Sequence, residues 1–162
     1  MKAARYYGNR DIRIEDIPEP TVGAGEVGID VAWCGICGTD LHEYAVGPIV
    51  IPTEPHELTG WKAPQILGHE FSAEVVDVGA DVRNVRPGQR VSVMPIISCG
   101  RCYYCTRNLR HLCVRMACVG LSFEWGGIAE LAVVPASQVH ALPDVMTDLE
   151  GALVEPTAVA MY

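Results

Sequence analysis

No run of basic residues occurs in the 162-residue sequence, and its 12 Lys and Arg stand against 20 Asp and Glu, a formal net charge of -8. A phosphate-facing surface needs clustered cations, so nucleic acid and anionic membrane surfaces are excluded as partners. No window approaches the eighteen uninterrupted apolar residues of a membrane span. The amino-terminal MKAARYYGNRD lacks the apolar core of a secretory signal. These absences predict a cytoplasmic protein. Charge is itself sparse, at 20% of residues against 49% apolar, which excludes a disordered polymer. Repeats, heptads and low-complexity tracts are also missing. What remains has the length of one domain, enough to bury a core but short for an enzyme that needs two.

One pattern is present without its context. Gly23 to Gly28 reads GAGEVG, the G-x-G-x-x-G spacing of a pyrophosphate turn. That turn works only between a leading strand and a following helix whose N-terminus faces the phosphates. Upstream, Pro18 and Pro20 oppose a central strand, because proline donates nothing to the ladder. Downstream, Val27, Ile29, Val31 and Trp33 alternate with Gly28, Asp30, Ala32 and Cys34, the two-residue period of a half-buried strand. The glycines therefore predict a turn into a strand.

Short apolar, β-branched segments bounded by Gly and Pro recur along the chain: KAARYY, DIRIED, EVGIDVAW, FSAEVVDVG, QRVSVM and IAELAVVP. They predict a mainly β fold. RPGQR at 86–90 is a turn expected to join two strands, since Pro87 presets φ and Gly88 takes the positive φ that follows. Near the end, Thr147 and Glu150 have the spacing of a capping box, so a helix is expected to start there and to be interrupted at Pro156. The apolar AVAMY that closes the sequence suggests a chain that continues in the natural protein.

Seven cysteines, an odd number in a chain without a signal sequence, point to metal or catalytic chemistry rather than disulfides. Cys99, Cys102, Cys105 and Cys113 follow at intervals of three, three and eight. Thiolates so close in sequence can converge on one tetrahedral zinc ion, and four of them close it to substrate. Redox chemistry through the two C-x-x-C pairs is the competing reading, but it lacks a βαβ context. His111, inside the loop, is expected on the surface.

A second set is scattered: Cys37, Thr39, Asp40 and His42 in CGICGTDLHEY, His69 and Glu70 in LGHEF, Glu155 in LVEPT. Cysteine, histidine and carboxylate from distant segments are what an open zinc site uses, with one position left for water or substrate. Cys37 thiolate, neutral His69 and a single carboxylate would balance the ion, so one of Glu70 and Glu155 is expected to bind at a time. A structural thiol, a core imidazole and a helix-N-terminal carboxylate are the bland alternatives.

In order and over nearly the whole chain, CGICGTDLHEY, GHEFSAEVVDVG, PGQRVSV, the four-cysteine loop, GGIAELAVVP and EPTAVAMY resemble the catalytic domain of zinc-dependent medium-chain alcohol dehydrogenases. Glu155, and the long insertion between His42 and His69, resemble the 2,3-butanediol dehydrogenase branch. The resemblance implies a GroES-like, partly open β-barrel over residues 1–147, with a zinc-stabilised loop lobe and few short helices. Residues 148–162 would begin the helix leading to a Rossmann domain that is absent here. It further implies two zinc ions: a catalytic one on Cys37, His69 and Glu155, with Glu70 as alternative ligand, and a structural one on the four cysteines. Asp40 would orient His69, and Thr39 and His42 would relay the proton.

The substrate so implied is a small alcohol or vicinal diol, with NAD(P) held only by the full-length, homo-oligomeric enzyme. A polyol or threonine dehydrogenase domain and a freestanding non-catalytic zinc module are the alternatives. Two positions depart from the family pattern: Asn108 stands where Gly is frequent and His111 where Asn is. Asn tolerates the left-handed conformation, so the turn is expected to survive. Cys34 and Cys118 match no ligand and are expected to be buried thiols.

Overall fold

A computed structural model describes residues 1–161. In chain order its strands are β1 (Lys2–Gly8), β2 (Asp11–Asp16), β3 (Glu26–Cys34), β4 (Gln65–Ile66) and β5 (Phe71–Val78). There follow β6 (Arg90–Val93), β7 (Ile96–Ile97), β8 (Ala117–Cys118), β9 (Leu131–Pro135) and β10 (Val139–Ala141). Three α-helices, α1 (Gly38–Val46), α2 (Asp148–Ala152) and α3 (Val154–Met161), and three single turns of 3-10 helix complete it. All six segments with a strand pattern form strands. Tyr162, the last residue of the predicted terminal segment, lies outside the described residues.

The strands pair antiparallel in three sheets, ordered β2-β1-β4, β10-β6-β5-β3-β9 and β7-β8. None closes on itself, in keeping with a partly open barrel. One segment belongs to two sheets. The amide of Ala4 donates to the Ile128 carbonyl and that of Glu130 to the Lys2 carbonyl, so 128–130 lies along β1. From Leu131 the same chain pairs with β3.

The inward faces of the five-stranded sheet make the core. Val27, Ile29, Phe71, Ala73, Val75, Val91, Val93, Ala132 and Val134 are all buried, with Val119 among them. Each larger side chain contributes about 1.5–3 kcal/mol by leaving water. Alternation along β3 holds for Val27, Ile29 and Val31 and then fails. A bulge between Val31 and Trp33 shifts the register against β5, so Trp33 opposes Ser72 and Cys34 opposes Phe71. An extra residue in one strand exchanges the faces. Trp33 consequently turns to solvent, and Cys34 packs against the core.

GAGEVG makes a turn into β3. The Glu26 amide donates to the Gly23 carbonyl at 3.0 Å, and the Gly23 amide to Glu26 Oε2 at 2.9 Å. No helix follows, so the glycines offer no phosphate a cradle. RPGQR closes the connection between β5 and β6, with Gly88 at φ 82 and the Gln89 amide donating to Arg86.

The capping box forms as its spacing predicts: Glu150 Oε2 accepts from the Thr147 amide at 2.7 Å, and Thr147 Oγ1 from the Glu150 amide at 3.2 Å. The interruption falls elsewhere than expected. The helix breaks at Leu153, and Pro156 sits in the first turn of α3. A proline ring would clash with the carbonyl four residues earlier in a continuous helix, whereas the first turn needs no proline N–H. Ser72 Oγ donates to the Asp148 carbonyl at 2.6 Å, and the Arg90 guanidinium to the Met146 carbonyl at 2.6 Å, which fastens α2 to the sheet. Among the described residues no helix is long and apolar enough to cross a membrane.

Two candidate metal centres

In the lobe between β7 and β8, tight turns fold residues 99–113 around their own sulfurs. Asn108 adopts φ 60 and ψ 21, the left-handed conformation expected of it, and ends one such turn. His111 is exposed, as predicted. The sulfurs of Cys99, Cys102, Cys105 and Cys113 all lie within 4.8 Å of one another. Cys99 to Cys105 and Cys102 to Cys113 each measure 4.0 Å. A tetrahedral ion with bonds of about 2.3 Å would set its sulfurs about 3.8 Å apart, so the donors fit zinc with little movement.

Backbone amides prepare part of this set. N–H groups of Cys105 and Val114 pull the Cys102 thiol down to about 6, and that of Arg101 leads in lowering Cys99. Burial pushes Cys105 up to about 11. Cys113 Sγ accepts from the amides of Cys99 at 3.3 Å and Arg115 at 3.4 Å. Donors aimed at sulfur stabilise thiolate, the form a metal takes.

The second set is assembled across the fold. The chain leaves the β3 bulge, makes a short loop and enters α1, so Cys37 stands at that helix's N-terminus. His69 and Glu70 precede β5, the neighbour of β3. Antiparallel pairing therefore brings together segments far apart in sequence. Ligand atoms of Cys37, His69 and Glu70 lie within 4.8 Å of one another. Gly68, at φ 95, turns the chain toward His69 where a side chain would collide with Cys34 Sγ. Gly35 clears the other side: a Cβ there would come within 2.5 Å of Glu70 Oε2.

Asp40 is 3% exposed and reaches back, its Oδ2 accepting from the Cys37 amide at 2.9 Å. Its Oδ1 faces His69 Nδ1 at 3.7 Å, too long for a hydrogen bond, and both atoms are buried without a partner. Burial raises the Asp40 carboxyl above its usual range, against the pull of His69 and of the Cys37 amide. With Nδ1 turned to Asp40, Nε2 is the nitrogen available to an ion. The donors thus suit zinc in type and spacing: one sulfur, one imidazole and one carboxylate.

Thr39 Oγ1 lies 3.7 Å from Cys37 Sγ, while His42, on the same helix, is exposed. Glu155 is not within the 4.8 Å set. Its carboxyl is near enough to feel the set: burial raises its pKa, with His69 opposing and Glu70 adding to the shift. Cys34 and Cys118 are half-buried rather than buried, donating to the carbonyls of Gly35 and Val119. Burial still leads in pushing both thiols up to about 12, which keeps them protonated.

Sequence reasoning missed Glu43. Fully buried at 0% exposure, its carboxylate accepts from the amides of Ile49, Val50 and Ile51. The available signal was its place on α1, three residues after Asp40 and four after Thr39, which puts the three side chains along one face.

The chain is 48% identical over its whole length to the (R,R)-butanediol dehydrogenase of Bacillus subtilis and spans 46% of that relative. An (R,R)-butanediol dehydrogenase of Neisseria gonorrhoeae is equally similar, at 48% identity with 46% of its length spanned. The crystal structure of 2R,3R-butanediol dehydrogenase from Bacillus subtilis superposes with a TM-score of 0.92 over 99% of this chain and 46% of that one, at 47% identity. A zinc-binding dehydrogenase of Sinorhizobium meliloti, solved bound to NADP, matches with a TM-score of 0.80 at 36% identity, over 99% of this chain and 43% of that one. The chain therefore spans about half the length of the relatives it matches. The family model for the alcohol dehydrogenase GroES-like domain covers residues 23–144, which hold the five-stranded sheet and both cysteine-bearing centres. From GAGEVG to the start of the terminal helices, then, this is a member of the alcohol dehydrogenase GroES-like domain family.

Proposed function

We propose that this chain is the substrate-binding, metal-bearing half of a zinc-dependent alcohol dehydrogenase that interconverts a small vicinal diol and its hydroxyketone, 2,3-butanediol and acetoin. The observation that carries the reading is the convergence of Cys37, His69 and Glu70 within 4.8 Å, in a chain 48% identical to butanediol dehydrogenases. Residues 1–147 form the catalytic domain in this proposal, and 148–162 begin the connection to a cofactor domain carried by the rest of a cytoplasmic, homo-oligomeric enzyme.

Two zinc ions would be held, one by the four cysteines of the lobe and one by Cys37, His69 and a carboxylate, with Glu70 favoured by its proximity and Glu155 as the alternate. Zinc at the open centre supplies a Lewis acid that eases ionisation of a bound hydroxyl. The chain's own groups do the rest. Asp40, facing His69 Nδ1 at 3.7 Å, would hold the ring proton there once the two close to hydrogen-bond distance, and so present Nε2 as a lone pair. Thr39, beside Cys37, takes the hydroxyl proton as it gives up its own toward exposed His42, which passes that proton to water. Oxidation also removes a hydride from the carbon, for which NAD(P) is the acceptor. GAGEVG, a turn into β3 with no helix behind it, does not supply the cradle for that dinucleotide.

The test compares the zinc-loaded chain with the full-length enzyme, each supplied with 2,3-butanediol stereoisomers, sorbitol or threonine and either NAD or NADP. Full-length protein is expected to prefer butanediol, and the chain alone to show no turnover, because nothing holds the ring over the substrate carbon. Preference for sorbitol or threonine would reassign the substrate. Turnover by the isolated chain would overturn the division of labour.

A further inference from the structure

A cavity of about 510 Å³ lies apart from both metal centres, and none of its lining residues belongs to either donor set. It opens between β1, β4, the loop that follows β2 and the loop that leads to β9. Its size is that of a small-molecule site. Nothing in the reaction proposed above uses it.

Three aromatic side chains make much of the wall: Trp61, Phe123 and Trp125, all half-buried. Their segments are fastened to one another. Thr59 Oγ1 donates to the Ser122 carbonyl at 2.7 Å and accepts from the Trp61 amide at 3.2 Å, which ties 59–61 to the loop at 122–125. Gln65, at 0% exposure, donates through Nε2 to the Phe123 carbonyl at 2.8 Å, and the Gly120 amide donates to the Trp125 carbonyl at 2.9 Å. Walls so held are formed before any ligand arrives, which spares the ordering cost of binding.

The charge of the lining is one-sided. Glu19, Glu26 and Glu124 stand against Arg5 alone, and Arg5 is already paired with Glu15 at 3.1 Å. Among the described residues Glu19 and Glu124 have no ion pair, and guanidinium groups lie over Tyr7 and Tyr103 but over none of the three cavity rings. Glu26 Oε2 accepts from the Gly23 amide at 2.9 Å. Glu124 stays exposed, yet its carboxyl is raised, by partial burial first and by the charge of Glu26 second. Carboxylates that repel one another beside aromatic rings are stabilised together by one positive charge.

The wall selects the kind of cation. A divalent metal ion needs several converging oxygen ligands, and among the described residues no acid of this cavity belongs to a set of three donors within 4.8 Å. A bare ammonium seeks several hydrogen-bond acceptors, whereas methyl groups on nitrogen spread the charge over a surface that rings cover well. We propose that this cavity binds a small methylated ammonium cation, its head against Trp61, Phe123 and Trp125 and its charge balanced by Glu124 and Glu26. It is a second ligand site on the domain, independent of zinc.

The test titrates the zinc-loaded chain with choline and follows the indole N–H signals of its three tryptophans by NMR. Trp61 and Trp125 are expected to shift along one saturable curve, while Trp33, 54% exposed on β3 and outside the cavity, stays unmoved. Dimethylbutanol, in which carbon replaces the nitrogen, is expected to bind about tenfold more weakly, and ammonium chloride at equal ionic strength to give no shift. Glu124→Gln, a change at an exposed side chain, is expected to weaken choline about threefold to tenfold, and Trp125→Leu about tenfold, with zinc content showing that both centres still form. Equal affinity for dimethylbutanol overturns the proposal, because the cavity would then prefer no charge. The absence of a saturable shift at millimolar choline overturns it, as does a shift of Trp33 alongside the other two. A Glu124→Gln variant that binds choline as the wild type does would remove the carboxylate from the site and sink the proposal with it.

Discussion

The lobe at 99–113 and the set around Cys37 both gather metal donors within 4.8 Å, yet they are built by opposite means. The lobe draws four sulfurs from one short loop, whose turns and amide donors converge them before any sheet is needed. The Cys37 set joins a helix N-terminus to the start of β5 across a bulged strand, so only the finished five-stranded sheet brings it together. A centre made locally can lend stability to the fold, and a centre made by the fold can only borrow it. On the function proposed above, the consequence would be a division between an ion sealed by four sulfurs and one left accessible.

The largest test of this contrast is a pair of substitutions. Cys102→Ser is expected to lower zinc from two per chain to one or fewer and to unfold much of the protein at 37 °C, because a four-thiolate site is worth on the order of 10 kcal/mol. Cys37→Ser is expected to remove one zinc and shift the melting temperature by only about 3 °C, since nothing in the sheet depends on that ion. Zinc analysis alongside thermal unfolding reads both. Equal destabilisation by the two would erase the distinction.

A smaller effect separates the carboxylates. Glu70→Gln is expected to weaken zinc at the open centre about tenfold to a hundredfold, a larger loss than Glu155→Gln, because Glu70 alone lies within the 4.8 Å set. Competition with a chelator measures each affinity, and the reverse ranking would make Glu155 the resident ligand. The smallest effect belongs to the lobe's backbone. Asn108 holds φ 60, so Asn108→Val is expected to cost about 1–2 kcal/mol, and Asn108→Gly almost nothing. Similar losses in both would show that the side chain, not the left-handed turn, is what matters there.

The lobe and most strands were legible in the sequence because their signals are local. Cysteine spacing, the Pro87–Gly88 turn, the Thr147 capping box and two-residue alternation each need only a few neighbours. The open centre was legible as candidate donors, but not as a geometry. Nothing in VAWCG announces that the register shifts after Val31, and the shift decides which way Cys34 and Trp33 face. Pro156 was read as the site of interruption because the clash was assigned to the proline itself rather than to the residues before it. Glu43 escaped notice because an acidic residue on a short helix reads as solvent-facing, and its three partners lie in a loop without periodicity.

The double membership of residues 128–135 has a mechanical side. Glu130 donates its amide to the first sheet and accepts from the Val31 amide of the second, so a pull on either sheet is carried to the other through one residue. The two sheets cannot slide independently, and a displacement of β1 passes to β9 and then to β3, which ends three residues before Cys37.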